Sequence, residues 1–292
     1  MSGDWGALAE RIDAFLDRLE RILPPAAEPV DWKATAFRWR KHARGGFLQS
    51  VRHPHAIRFA DLRDIDEQKK RLRENTQQFV EGRPANNVLL TGARGTGKSS
   101  LVKAALNEFS RKGLRLIEVD KRDLVDLPDI VDLIADRPER FVVFCDDLSF
   151  EASDAGYKAL KVALDGTIAG SAENVLIYAT SNRRHLMPEF MSENLEAKRV
   201  DDEIHPGETV EEKISLSERF GVWVSFYPFD QDEYLKIVAQ WLAHFKITGA
   251  SSEAVRHAAL QWALQRGSRS GRVAWQFARD WAGRARIARA KS

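Results

Sequence analysis

The segment Gly92-Ala-Arg-Gly-Thr-Gly-Lys-Ser99 restricts this chain more than any other. It fits the spacing G-x-x-x-x-G-K-[ST] without departure. Glycines let a backbone wrap closely around phosphate oxygens, and successive N–H groups then point inward as an anion nest. The apolar run Asn87–Thr91 before it reads as a buried strand, and Lys98–Phe109 after it reads as a helix. A helix that opens at Lys98 adds its positive end to the same spot. The expectation is a phosphate cradle built from Gly92, Ala93, Arg94, Gly95, Thr96 and Gly97, with Lys98, Ser99 and Ser100 at the helix start. In such a loop the lysine reaches the outer phosphates of a triphosphate and the Ser99 hydroxyl holds Mg²⁺.

The remaining pattern supplies a frame for that loop. A charged helix over roughly Asp61–Glu81 precedes it. Strands are expected at Leu114–Asp120, Phe141–Cys145, Val175–Thr180 and Val222–Tyr227, with helices near Leu127–Ala135 and Tyr157–Leu164 between them. Strands alternating with helices predict an α/β fold, a parallel sheet of about five strands with helices on both faces, and the glycine loop at its edge makes that sheet one of the P-loop NTPase kind. After Pro228 the strand signal stops. Glu233–Phe245, Ser252–Gln265 and Gly271–Ala288 read as amphipathic helices, a small C-terminal helical domain. The expected division is 1–59 as a helical and basic extension, 60–228 as the nucleotide-binding domain, and 229–292 as the lid. Within the extension, Trp5, Leu8, Ile12, Phe15, Leu19 and Ile22 line one face of a helix. Docking on the core is the favoured use of that face, with docking on a partner the alternative. Pro24–Pro29 reads as a linker.

Charge is unevenly spread. The formal net charge is +2 over 292 residues, yet Asp31–Phe59 carries seven Lys/Arg against one acid, and Leu264–Ser292 eight against one. Between them Glu118–Asp154 carries twelve acids against four Lys/Arg. Three readings stand: flanks that meet an anionic partner, opposite faces that meet in an oligomer, or solvated surface. The one cysteine, Cys145, excludes an intrachain disulfide and reads as a small buried hydrophobe. His53 and His55 have no third ligand nearby. No secretion leader is evident and no apolar run approaches the ~18 residues of a membrane span, so a cytoplasmic protein without a membrane partner is expected.

Forty-eight residues after Lys98 the run Phe141-Val-Val-Phe-Cys ends in Asp146-Asp147. Two carboxylates at the end of a buried strand need a partner, because unpaired buried charge is costly. A divalent cation supplies one: Asp146 would hold the metal and Asp147 would orient the attacking water. The plainer alternative is an acid capping the next helix.

With these two motifs in order, the chain from about Asp61 to Asp280 resembles the AAA+ ATPases. The resemblance implies ATP with Mg²⁺ as cofactors and ATP hydrolysis as the activity. It places Asn182, at the end of the Val175–Thr180 strand, in the family's sensor-1 position. Leu216-Ser-Glu-Arg219-Phe-Gly is similar to the arginine-finger box, which implies a homo-oligomer in which Arg219 serves a neighbouring site. Gly267-Ser-Arg-Ser-Gly-Arg272 is similar to sensor 2, with Arg272 competing with Arg269 for the role. Leu62 and Ile65 fall where the family builds its adenine pocket. The phrases Asn86-Asn87-Val-Leu-Leu-Thr-Gly, Phe-Cys-Asp-Asp-Leu-Ser-Phe and Ser-Glu-Arg-Phe-Gly-Val-Trp-Val-Ser-Phe are similar to the bacterial AAA+ group filed as domain of unknown function 815.

Departures bear on what the partner is. Asp147 stands where many relatives carry glutamate, one methylene longer, which leaves Glu151 as a possible recruit. Asp120–Pro128 lacks the aromatic pore residue of protein-threading machines, and Phe150 reads as packing. The expected function is an oligomeric ATPase that remodels or loads a protein or nucleic-acid partner. The alternatives are a nucleic-acid-associated ATP switch with slow hydrolysis, and a small-molecule kinase or solitary P-loop protein.

Overall fold

The computed structural model describes residues 4–22, 29–42, 45–150, 154–165, 172–182, 198–200, 203–205, 216–247, 249 and 252–290. In chain order these form α1 (Asp4–Ile22), β1 (Ala36–His42), β2 (Gly45–Ser50), α2 (Asp66–Val80), β3 (Val88–Gly92) and α3 (Lys98–Phe109). There follow β4 (Leu114–Val119), α4 (Leu127–Ile134), β5 (Arg140–Cys145), α5 (Ala155–Asp165) and β6 (Val175–Ser181). A two-stranded ribbon, β7 (Lys198–Val200) and β8 (Glu203–His205), precedes β9 (Val222–Phe226). Three helices close the chain: α6 (Gln231–His244), α7 (Glu253–Gln265) and α8 (Gly271–Ala290).

The main sheet runs β2-β1-β4-β5-β6-β3-β9, and every pair in it is parallel except β1 with β2. Parallel strands are covered on both faces, which is why β3, β5 and β6 are nearly unbroken apolar runs. Alternate residues serve two separate cores. Leu90, Val142, Phe144 and Tyr178 face one side, against α2, α3 and the three lid helices. Leu89, Phe141, Val143, Ile177 and Ala179 face the other, against α4 and α5. Cys145 lies in this second layer, fully buried, where desolvation pushes its thiol up to about 12. Phe150 packs there too, edge-on to Tyr157.

The sheet has seven strands where about five were expected. The two extra strands come from the basic stretch. In β1, Phe37 and Trp39 point inward while Arg38 and Arg40 point to solvent. That is the period-2 alternation of a strand with one buried face, masked by its charge. Two of these cations meet the acidic segment of the same chain. Arg38 pairs with Glu118 at 2.7 Å, and Lys41 with Asp126 at 2.9 Å and Asp123 at 3.6 Å. The Trp39 indole also donates to Asp126, at 2.8 Å. The charge asymmetry of the sequence is therefore met in part within one molecule.

On α1, Leu8, Ile12, Phe15 and Leu16 are exposed. Among the described residues neither core takes a side chain from α1; the side chains of Trp5, Leu19 and Ile22, on the same face, lie outside the description. The Pro24–Pro29 linker falls almost wholly outside the described residues. Among those residues no helix is long and apolar enough to cross a membrane.

Candidate functional site

Strand order brings together groups that are far apart in sequence. β6 lies between β3 and β5, and all three run the same way. Their C-terminal ends therefore share one edge: the glycine loop after β3, Asn182 after β6, and Asp146-Asp147 after β5. Thr91 sits opposite Ser181, and Cys145 opposite Ala179, so the ladders end just as the three functional segments begin. Ligands of open α/β sheets bind outside such strand ends.

Two loop glycines are required by close approach. A Cβ on Gly92 would lie 1.9 Å from the Phe226 carbonyl oxygen, and the residue has φ +127°. A Cβ on Gly95 would lie 2.8 Å from the Ser270 side chain, at φ +76°. The Gly271 N–H, at the start of α8, donates to the Gly95 carbonyl at 2.9 Å. The lid thus abuts the apex of the loop. Thr96 Oγ1 closes the loop internally onto the Ala93 carbonyl at 2.8 Å. The first turn of α3 has no side-chain cap, whereas α6 is capped by Asp230 and α7 by Ser252. Its opening N–H groups are left for another acceptor, and an anion suits them.

Lys98 is 6% exposed. Its Nζ donates to the carbonyls of Gly92 and Ala93, each at 2.7 Å, and to Asn182 Oδ1 at 3.0 Å. Desolvation lowers its pKa from 10.5 to about 8. The charges of Asp146 and Asp147 oppose that shift, while Arg272 and Arg94 add to it. The Asn182 amide in turn donates to Asp147 Oδ1. Asn182 thus links the loop lysine to the second aspartate. On the other side Ser99 Oγ donates to Asp146 Oδ1 at 2.6 Å. Thr180 Oγ1 donates to the same oxygen at 2.6 Å and accepts the Asp147 N–H at 2.8 Å. Asp147 has φ +56°, a left-handed conformation that aspartate tolerates better than most residues.

These groups line one side of a cavity of about 660 Å³, within the range of small-molecule sites. The loop residues Arg94 to Ser100 form its floor, and Leu62, Ile65, Phe229, Ile237, Trp241 and Trp275 form an apolar wall. Arg272 lines it from the lid, whereas Arg269 is exposed and outside it. The apolar wall suits a planar base and the loop suits phosphates. Among the described residues no group of three or more His, Cys, Asp or Glu could enclose a metal. A cation at Ser99 and Asp146 would take its other ligands from water and phosphate, which is how Mg²⁺ is usually held.

Arg219 lies outside the cavity lining. It follows a helical turn at 216–218, and its Nε is 2.5 Å from Asp165 Oδ1 at the end of α5. Glu151 falls outside the described residues. Sequence reasoning missed Thr180, although a hydroxyl residue two before Asn182 at a strand tip was a usable signal. It also missed Trp241 and Trp275, whose lid positions carry no local mark of a ligand.

A family model described as protein of unknown function (DUF815) matches residues 32–285. The ATP-dependent zinc metalloprotease FtsH of Caldicellulosiruptor bescii is 27% identical over 246 residues, 73% of this chain and 37% of FtsH. Proteasome-activating nucleotidase 2 of Haloferax volcanii is 31% identical over 126 residues, 38% of this chain and 30% of that protein. The chain thus spans well under half the length of these curated relatives. Among solved structures, the FIGL-1 AAA domain in complex with ADP superposes with a TM-score of 0.52 at 19% identity, covering 78% of this chain and 73% of that one. The sheet, the loop at its edge and the helical lid give this chain the AAA+ P-loop fold, and the match over 32–285 settles the membership: the chain belongs to the DUF815 family.

Proposed function

We propose that this chain binds ATP with Mg²⁺ in the cavity between sheet edge and lid, hydrolyses it, and works as a homo-oligomer on a macromolecular partner. One observation carries the reading. Two hydrogen-bonded chains, Lys98–Asn182–Asp147 and Ser99–Asp146–Thr180, converge beside the glycine loop in a single cavity. The backbone of Gly92–Gly97 cradles phosphate, and Lys98 exchanges its carbonyl partners for phosphate oxygens. Ser99 and Asp146 would hold Mg²⁺, which would supply positive charge beside the phosphoryl group. The Asp147 carboxylate takes the proton of the attacking water while Asn182 fixes its orientation. Arg272 covers the phosphates from the lid.

In this reading Arg219 completes the site of an adjacent subunit and gives up Asp165 to do so. The rate of phosphate release per chain is expected to rise with protein concentration, and Arg219→Ala to flatten that rise. A steady-state assay over a hundredfold range of concentration tests this; a wild-type rate independent of concentration counts against the oligomer.

Lys98 sets the pH dependence of binding. Its ammonium is intact below about pH 8 and is lost as pH rises through that value. Bound phosphate favours the charged form, so binding above pH 8 takes up a proton. The affinity for ATP is expected to be level from pH 6.5 to 7.5 and to fall above 8, by up to tenfold per pH unit. Calorimetric titrations across that range decide it, and an affinity unchanged to pH 9.5 contradicts the assignment.

The second reading, a nucleic-acid-associated ATP switch, rests on the Asp146-Asp147 pair and on the basic, aromatic-bearing stretch Asp31–Phe59, which contains β1 and β2. Arg38 and Lys41 are engaged with Glu118, Asp123 and Asp126, which reduces the charge available to a phosphate backbone.

A further inference from the structure

We propose that Thr180 is a positioning residue for the metal-binding carboxylate, holding Asp146 and Asp147 in register with one hydroxyl. The proposal rests on the reading of Asp146 as a metal holder. The geometry that carries it is local. The paired residues of β5 and β6 end at Cys145 and Ala179, so no regular ladder holds the segment after Cys145. Two bonds from the next residue of β6 replace the ladder. The Thr180 carbonyl accepts the Leu148 N–H at 2.7 Å, and the Thr180 hydroxyl accepts the Asp147 N–H at 2.8 Å. A third contact, from Ser181 Oγ to the Leu148 carbonyl at 2.8 Å, ties down the same turn.

The direction of the hydroxyl bond is fixed by its partners. A backbone N–H can only donate, so Thr180 Oγ1 must accept from Asp147. Its single proton then points at Asp146 Oδ1, 2.6 Å away. Thr180 is 2% exposed, which limits the access of water to that proton. Ser99 also donates to Asp146 Oδ1, but its hydroxyl is itself assigned to the cation. When Ser99 turns to the metal, the Thr180 bond still orients Asp146. Groups that hold a metal ligand in place typically change metal affinity 10–100-fold when removed.

Thr180→Val keeps the shape and removes the hydroxyl; Thr180→Ser restores it. The probe is Mn²⁺ binding, followed by electron paramagnetic resonance, to full-length protein saturated with the β,γ-methylene analogue of ATP. Thr180→Val is expected to weaken Mn²⁺ binding at least tenfold. Affinity for the analogue in excess chelator is expected to change by less than about threefold, and serine to return Mn²⁺ affinity to near the wild-type value. Wild-type Mn²⁺ affinity in a folded valine variant overturns the proposal. So does an equal loss of analogue affinity in chelator, which would mark a general collapse of the site. If valine prevents folding, Thr180→Cys, a weaker donor, takes its place, with an intermediate loss expected and wild-type affinity again overturning the proposal. Failure of the wild-type chain to bind the analogue at all would instead overturn the reading of the site.

Discussion

Replacing Lys98 by alanine is expected to raise the dissociation constant for ATP about a thousandfold while leaving the protein at least as heat-stable as the wild type. The loss follows from the donors removed. Nζ has three, and a charge-assisted bond to an anionic oxygen contributes about 1.5–3 kcal/mol, so two such bonds alone approach 4 kcal/mol. At about 1.4 kcal/mol per factor of ten, that is near a thousandfold. The stability expectation follows from the sign of the pKa shift. Lys98 titrates at about 8 in the fold against 10.5 ordinarily, so at neutral pH its charge is held against the preference of the folded state. Alanine removes that charge. Its loss leaves the Gly92 and Ala93 carbonyls facing a cavity that water can enter. Isothermal titration with ATP and a thermal melt test both halves. Near-normal ATP affinity in the alanine variant would remove the phosphate loop from the site.

Asp147→Asn is expected to bind ATP with wild-type affinity and to release phosphate about 10²- to 10⁴-fold more slowly, the usual contribution of a positioned general base. The substitution changes little else. Oδ1 remains an acceptor for the Asn182 amide, and the backbone N–H still reaches Thr180. Asparagine tolerates the left-handed conformation at φ +56° as well as aspartate does. What is removed is basicity. Single-turnover measurement with ATP in hand separates the chemical step from binding. If the variant cleaves ATP at the wild-type rate, Asp147 is not the base.

Much of this site was legible because its parts are local. The loop, the acid pair and Asn182 each lie within a few residues of a strand end, and strand ends are readable from apolar runs. The lid arginine was only half legible: Arg269 and Arg272 share a motif, and only the turn that starts α8 brings Arg272 to the cavity. Contacts across long sequence separations were not legible. Nothing around Arg219 points to Asp165, 54 residues away, and nothing in α6 or α8 marks Trp241 and Trp275 as walls of the cavity. The β1–β2 hairpin was hidden for a different reason. Its Phe37 and Trp39 alternate as a strand should, but seven cations in the surrounding stretch interrupt the apolar pattern by which a buried strand is read. Beneath the sheet, Asn75 and Thr76 of α2 meet the buried Tyr178 hydroxyl, a polar cluster that no periodicity announces.

The placement of β6 between β3 and β5 has a wider bearing. Neighbouring strands stand about 4.8 Å apart, a spacing set by backbone hydrogen bonds and indifferent to side chains. The lateral offsets among loop, amide and carboxylates are therefore multiples of one ruler fixed by the peptide group. The connecting segments can lengthen, shorten or exchange their residues without altering that ruler. A protein built this way can acquire new partners through its connections while its chemistry stays in gauge.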